Sequence, residues 1–298
     1  MKRGLALLIF AVMFCMTHAT YAATFCVSTT DELQIAMTTA ASNGEDDDVQ
    51  IVQGTYMGNF VFTSAEEFDL TIEGGYTAGC TSRVIEPANT IIDANSTDSV
   101  FVLIGNTAVD FVIDGLTVQN GNTTSNGGGL YIKTAEGEVI LSNNIVSGNK
   151  AKDNGGGVYI EGTATATLTD NFISGNTVIS DMTATGGPMP IGNGGGVYFA
   201  PSSTVTLTDN AITGNTANYF FSNGGGGLYF GSSSTVTLTN NIISNNIADN
   251  DVGGEGGGGV YFGSSSSVTL TSNVISGNMA DGGFILDTFW FFKHRNSH

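Results

Sequence analysis

Through the middle of the chain, apolar residues come in short runs that alternate with polar ones. Around position 200 these runs are Val197–Phe199, Val205–Leu207 and Ala211–Thr213. Val205 and Leu207 fall on one side of an extended chain; Thr204, Thr206 and Thr208 fall on the other. A period of two marks half-buried strands, whereas a helix would scatter these residues around its circumference. The three-run unit then repeats. GGGLYI begins at 127, GGGVYI at 155, GGGVYF at 194, GGGLYF at 225 and GGGVYF at 257. These are followed by LSNNIVSGN, LTDNFISGN, LTDNAITGN, LTNNIISNN and LTSNVISGN. The first aliphatic residues, Leu130, Val158, Val197, Leu228 and Val260, are spaced 28, 39, 31 and 32 apart. One such unit cannot bury its apolar face alone. Stacked copies can, each strand pairing in parallel with its counterpart one coil away. The expected fold is all-β: a parallel β-helix with three sheets.

The turns agree with this reading. Asn144, Asn171, Asn210, Asn241 and Asn273 hold one corner, and Asn149, Asn176, Asn215, Asn246 and Asn278 another. Asn accepts left-handed backbone and bonds its own turn. Amides stacked in register would also form a ladder along the axis. Upstream the repeats degrade but persist. Thr90–Asp93, Val100–Leu103 and Phe111–Val118 make one coil; Ile51–Gln53, Phe60–Phe62 and Leu70–Ile72 make another. Ahead of them, Thr30-Asp31-Glu32-Leu33 opens a short amphipathic helix with an N-cap and early acids. Its Leu33, Met37 and Ala40 would cover the first coil, as an open solenoid end requires. The expected organisation is an N-terminal cap over 23–50 and a β-helix over 51–283. A tail over 284–298 reads FILDTFWFFKHRNSH where another GGGVY run is due. In one reading Phe289, Trp290 and Phe291 plug the core; the preferred expectation is a truncated or frame-shifted gene.

Residues 1–22 read as a secretory signal peptide. Lys2 and Arg3 start it, Leu5 to Met16 form an apolar run too short to span a bilayer, and Thr20-Tyr21-Ala22 ends in a small residue. Cys15 does not mark a lipoprotein, because bulky Phe14 precedes it. Removing Lys2 and Arg3 takes the formal charge from −19 to −21. No nucleic-acid partner is expected, since phosphate binding needs basic clusters. The mature chain keeps two cysteines, Cys26 and Cys80. In an exported protein these are expected to pair.

The Gly-Gly-[Leu/Val]-Tyr run followed by Ile-x-x-Asn, as in Gly156-Gly157-Val158-Tyr159 with Ile173-Ser174-Gly175-Asn176, resembles the repeats of polymorphic outer membrane proteins. The resemblance covers about 125–280. Gly stands for that family's Ala, and Ile or Val for its Phe, so the chain looks like a relative of the group. More widely it resembles bacterial pectate-lyase-like proteins. Residues 26–80, with GTYMGNF and TIEGGYTAGC, are similar to their N-terminal cap and first coil. The resemblance implies a right-handed parallel β-helix. It does not carry activity over, because one fold hosts many functions.

Candidate chemistry is sparse. Body histidines are absent; His18 lies in the signal peptide and His294 and His298 in the tail. Paired acids would suffice for glycoside hydrolysis, yet Asp114, Asp170 and Asp209 sit at turns and read as structural. Lyases of this fold use Ca²⁺ and an Arg or Lys base. The body offers only Arg83, Lys133, Lys150 and Lys152, with Lys150, Lys152 and Asp153 as the best lyase constellation. No cofactor is required; Ca²⁺ would find oxygen ligands at Glu45-Asp46-Asp47-Asp48 or at Asp249, Asp251 and Glu255. Binding has more support. Tyr131, Tyr159, Tyr198, Tyr229 and Tyr261 share one register position and would form an outward stripe at strand spacing. Aromatic rings suit sugars; the plainer reading is a self-stacking ladder that stiffens the sheet. Length variation falls between the second Asn and the next GGG. The insertions, Thr177–Asn193 and one holding Tyr219 and Phe220, therefore stack on one edge. Finally, Thr167/Thr169, Thr206/Thr208, Thr237/Thr239 and Thr269/Thr271 make a Thr-x-Thr array that resembles ice-binding β-solenoids. The expected function is a secreted or bacterial cell-surface, non-enzymatic, adhesin-like protein whose partner is a polysaccharide or cell-surface glycan. The alternatives are a lyase or hydrolase of acidic polysaccharide and, less favoured, an ice-binding protein.

Overall fold

A computed structural model describes residues 22–162, 165–179, 192–219, 224–250 and 256–281. The alternation read from the sequence becomes a parallel strand solenoid. In the coil that starts at Val197, the strands are Val197–Phe199, Thr204–Thr208, Ala211–Thr213 and Thr216–Tyr219. They belong to sheets 1 to 4, which have seven, nine, eight and six strands. Every strand pairing is parallel, with Val158↔Val197, Thr165↔Thr204 and Phe172↔Ala211 among the partners. The three expected sheets are thus four. Sheet 4 escapes the sequence pattern because its strands bury at most one residue each, such as Val178 or Ala217, too few to show an alternation.

The core runs without interruption from Val27 to Phe262. Inward positions are aliphatic or Phe at 0–2% exposure, for example Phe199, Leu207, Ile212 and Phe230. Phe199, Phe230 and Phe262 stack inside it with centroids 4.9 and 5.2 Å apart and planes 1° and 9° from parallel.

Both asparagine columns form ladders. Asn171 Nδ2 donates to Asn210 Oδ1 at 3.0 Å, and Asn176 Nδ2 to Asn215 Oδ1 at 3.0 Å, and so on up the axis. The left-handed residue, however, is the one before each ladder Asn. Asn143, Asp170, Asp209, Asn240 and Ser272 have φ of 53–57°, and Gly148, Gly175, Gly214 and Gly277 have φ of 62–64°. The preceding residue makes the corner, which frees the Asn side chain to turn inward. The glycine runs follow from the same geometry. A Cβ on Gly157 would stand 2.7 Å from Gly196 O and 3.0 Å from the Asn176 amide, so no larger residue fits beside the ladder.

At the N-terminal end, helix α1 (Thr30–Ala40) buries Leu33, Ala36, Met37 and Ala40 against the first coil. Its N-cap is Thr29. Glu32 completes a capping box, accepting from the Thr29 backbone N–H while its own N–H donates to Thr29 Oγ1. Cys26 and Cys80 are joined, with Cα atoms 5.8 Å apart and a sequence separation of 54. On the chain-entropy account a loop of that length is worth about 4 kcal/mol. No helix among the described residues is long and apolar enough to cross a membrane.

Candidate functional site

The five register-matched tyrosines fall in one column on the outer side of sheet 1. Val61 and Val102 hold the same position in earlier coils. The rings stack on one another: centroids are 5.3, 5.0, 5.0 and 5.0 Å apart and planes tilt by 18°, 13°, 6° and 10°. Ring faces are therefore turned along the axis, and edges and hydroxyls are turned outward. Tyr131, Tyr159, Tyr198 and Tyr229 are half-buried, and Tyr261 is buried. Burial pushes the Tyr198 hydroxyl up to about 12, with neighbouring Tyr159 and Glu161 adding to it. Burial likewise raises Tyr131, Tyr159 and Tyr229. At the foot of the column Tyr131 Oη donates to Glu161 Oε2 at 2.7 Å, and Lys133 Nζ to Glu161 Oε1 at 3.1 Å.

From Asn122 onward sheet 4 precedes sheet 1 along the chain, and the insertions fall between their strands in sequence. Tyr219 closes the sheet-4 strand Thr216–Tyr219 and pairs through its backbone with Asn250; Phe220 lies outside the described residues. Lys150 and Lys152 share one shallow pocket of about 250 Å³ with Asn122, Thr123, Thr124 and Ile179. The next residue, Asp153, is held by its N–H to Ser125 O at 3.1 Å. Burial raises its carboxyl, and Lys152 opposes that shift. The other two body cations are committed elsewhere. Arg83 Nη1 bonds Glu73 Oε1 at 2.8 Å, and its Nη2 pairs with Asp114 Oδ2. Lys133 pairs with Glu161. Among the described residues, Lys150 and Lys152 are the cations outside a salt bridge.

Of the two calcium candidates, the Glu45–Asp48 run does not converge. Strand Asp47–Val52 alternates, so Asp47 turns inward and Asp48 outward. Burial lifts the Asp47 carboxyl to about 6, against a hydrogen bond from Asn43 Nδ2 at 2.6 Å. Asp48 Oδ2 accepts from Gln50 Nε2 at 2.7 Å. Asp249 lies in strand Ile247–Asn250 and pairs in register with Asp281; Asp251 and Glu255 lie outside the described residues. No group of three His, Cys, Asp or Glu among the described residues is arranged to hold a metal. Asp114 is structural as expected: its Oδ1 accepts from Ser142 Oγ at 2.5 Å and Asn143 Nδ2 at 2.7 Å.

Four acids that share no sequence motif are brought together by the stacking of the coils. Asp46, Asp69, Asp110 and Glu138 form a column at the entry to sheet 2. Asp69 N donates to Asp46 Oδ1 at 3.0 Å, Asp110 N to Asp69 Oδ1 at 2.9 Å, and Glu138 N to Asp110 Oδ1 at 2.6 Å. Burial raises the Asp69 carboxyl, and Asp110 and Asp46 add to the rise while the Asp110 N–H opposes it.

No curated protein and no solved structure gives a match. The family model described as the right handed beta helix region matches residues 74–289. That match supports the fold and leaves the pectate-lyase-like and polymorphic-membrane-protein likenesses as resemblances of the repeats. With parallel sheets stacked coil on coil and more than two thirds of its length matched, the chain belongs to the right-handed β-helix family.

Proposed function

We propose that this chain is a secreted or cell-surface β-helix that binds glycan, in the manner of an adhesin, and does not cleave it. The observation that carries the reading is the tyrosine column. Its phenol edges and hydroxyls recur every 5.0–5.3 Å along the axis, on strands that follow the insertions in the chain. A row of amphipathic edges suits an extended, hydroxyl-rich chain. Membership of the β-helix family supports a surface or polysaccharide-related role. The disulfide and the want of a membrane-spanning helix among the described residues are compatible with an extracellular site.

The pocket that joins Lys150 and Lys152 favours one second reading, a lyase acting on acidic polysaccharide. A single experiment separates the two. The mature protein is incubated with soluble and insoluble polysaccharides plus Ca²⁺, and both co-sedimentation and new sugar ends are measured. Sedimentation without cleavage, several-fold weaker in Tyr198→Phe, is the expected result. Phe keeps the ring stack and removes the hydroxyl, so folding is preserved. New ends that vanish in Lys150→Ala/Lys152→Ala would overturn binding in favour of lysis. If neither signal appears, the glycan reading fails.

A further inference from the structure

The outer side of sheet 2 changes character partway along the axis. On the early strands its register positions carry mixed residues. One column reads Asp48, Thr71, Val112, Ile140 and the next Gln50, Glu73, Asp114, Ser142. From Thr165–Thr169 onward the mixture ends. Over four successive strands the outward positions hold eleven Thr and one Ser, in three columns. The early coils demonstrate that this fold accepts Asp, Glu, Gln, Val and Ile at the same positions. Strand propensity alone favours Thr but does not demand four unbroken ranks of it. On a chain of formal charge −19 the array itself carries no charge.

Three further properties point outward. First, the grid is regular. Pairing through the four strands shows no register shift. Second, it is flat. The tyrosine and phenylalanine rings of sheet 1 in the same coils lie 4.9–5.2 Å apart and within 13° of parallel, so successive coils translate with little twist. Untwisted sheets are uncommon and need such ladders to hold them. Third, the hydroxyls are unspent. Thr167 Oγ1 donates to Glu138 Oε1 at the array's edge. Among the described residues, no hydrogen-bond partner meets the hydroxyls of Thr204, Thr206, Thr208, Thr235, Thr237 and Thr239. By contrast Ser203 and Ser234, in the adjoining turns, each donate to a backbone carbonyl.

A ligand for this face must be flat, uncharged and periodic in two directions. Ranks lie about 5 Å apart along the axis, and neighbouring hydroxyls on a strand about 6.7 Å apart. These intervals lie near the oxygen repeats of hexagonal ice along two surface directions. Thr supplies a methyl group that cages water and a hydroxyl that anchors it, on a side chain stiff at χ1. Half-burial of Thr206 and Thr237 restricts them further, so little order remains to be imposed on binding. We propose that the threonine face of sheet 2, from Thr165 to Thr271, binds ice.

The test is partition into slowly grown ice, with thermal hysteresis and recrystallisation inhibition on the same samples. The mature chain should enter the ice. Thr206→Lys/Thr237→Lys, at the centre of the face, should be excluded at least tenfold. Ser174→Lys, on the outer side of sheet 3, should partition like the parent. Far-UV circular dichroism establishes that each variant is folded. Exclusion of the folded parent from ice would overturn the proposal, as would equal partition of the double-Lys variant. Binding to microcrystalline cellulose, lost in the double-Lys variant without any ice activity, would overturn it in favour of a crystalline polysaccharide. Glycan binding through the tyrosine column stands or falls separately, because Tyr198→Phe leaves this face intact.

Discussion

Asn176 shows how much one side chain carries in a stacked fold. Its Nδ2 donates to Val146 O at 2.8 Å and Asn215 Oδ1 at 3.0 Å. Its Oδ1 accepts from both the backbone N–H and the Nδ2 of Asn149 at 3.0 Å. All of this is shut away from water. Asn176→Ala leaves the Asn149 N–H and the Val146 carbonyl buried and short of a partner, and each such group costs about 1–3 kcal/mol. The expected loss is about 2–4 kcal/mol, read from the shift in denaturant midpoint at unchanged slope. The ladders were legible in the sequence because the same Asn recurs in every unit. The acidic column was not. Asp46, Asp69, Asp110 and Glu138 are separated by 23, 41 and 28 residues and share no motif, so only the register of the coils brings them together. The corner conformation was misplaced by one residue for a related reason: Asn is itself a good left-handed residue, and sequence alone does not tell the corner from the rung.

At the scale of elements, sheet 1 joins a core phenylalanine stack to an outer tyrosine stack on the same strands, Val197–Phe199 through Val260–Phe262. The phenols are neutral in the fold and resist ionisation. Tyr198 is raised from 10.0 to about 12, chiefly by burial. A group whose folded value lies above its unfolded value binds its proton more tightly when folded. Its contribution is complete below pH 10 and is lost as pH rises through about 12. Tyrosinate absorbance should therefore appear together with loss of strand signal in that window, and Tyr198→Phe should delay the loss. Tyrosinate that forms well before the strand signal falls would mean the hydroxyls are open to water. The position of the column was readable from the repeats, since a period of two fixes which residues share a side. The ring orientation was not readable, because it depends on how closely coils stack. Sheet 4 was missed because each of its strands buries at most one residue, and that residue is small, as Ala151, Ala217 and Ala248 are.

The whole molecule presents distinct faces along one axis. The tyrosine column lies on sheet 1, the lysine pocket on sheet 4, the threonine array on sheet 2, and α1 closes one end. In the repeats from Leu130 to Phe262 the large length differences fall between sheets 4 and 1, and the pairings on either side keep their register. Part of the metal reading, Asp251 and Glu255, and all of Phe220 fall in those insertions, outside the described residues. The central claim is that glycan lies along the axis, against successive tyrosines. The most direct measurement is the affinity of the mature chain for oligosaccharides of increasing length, drawn from whichever polysaccharide it retains. The column makes four steps of about 5 Å. Affinity should climb with each added sugar until the ligand spans those steps, and then level off, with a lower plateau in Tyr198→Phe. Affinity that is independent of length, or untouched by Tyr198→Phe, would contradict an axial site on this column.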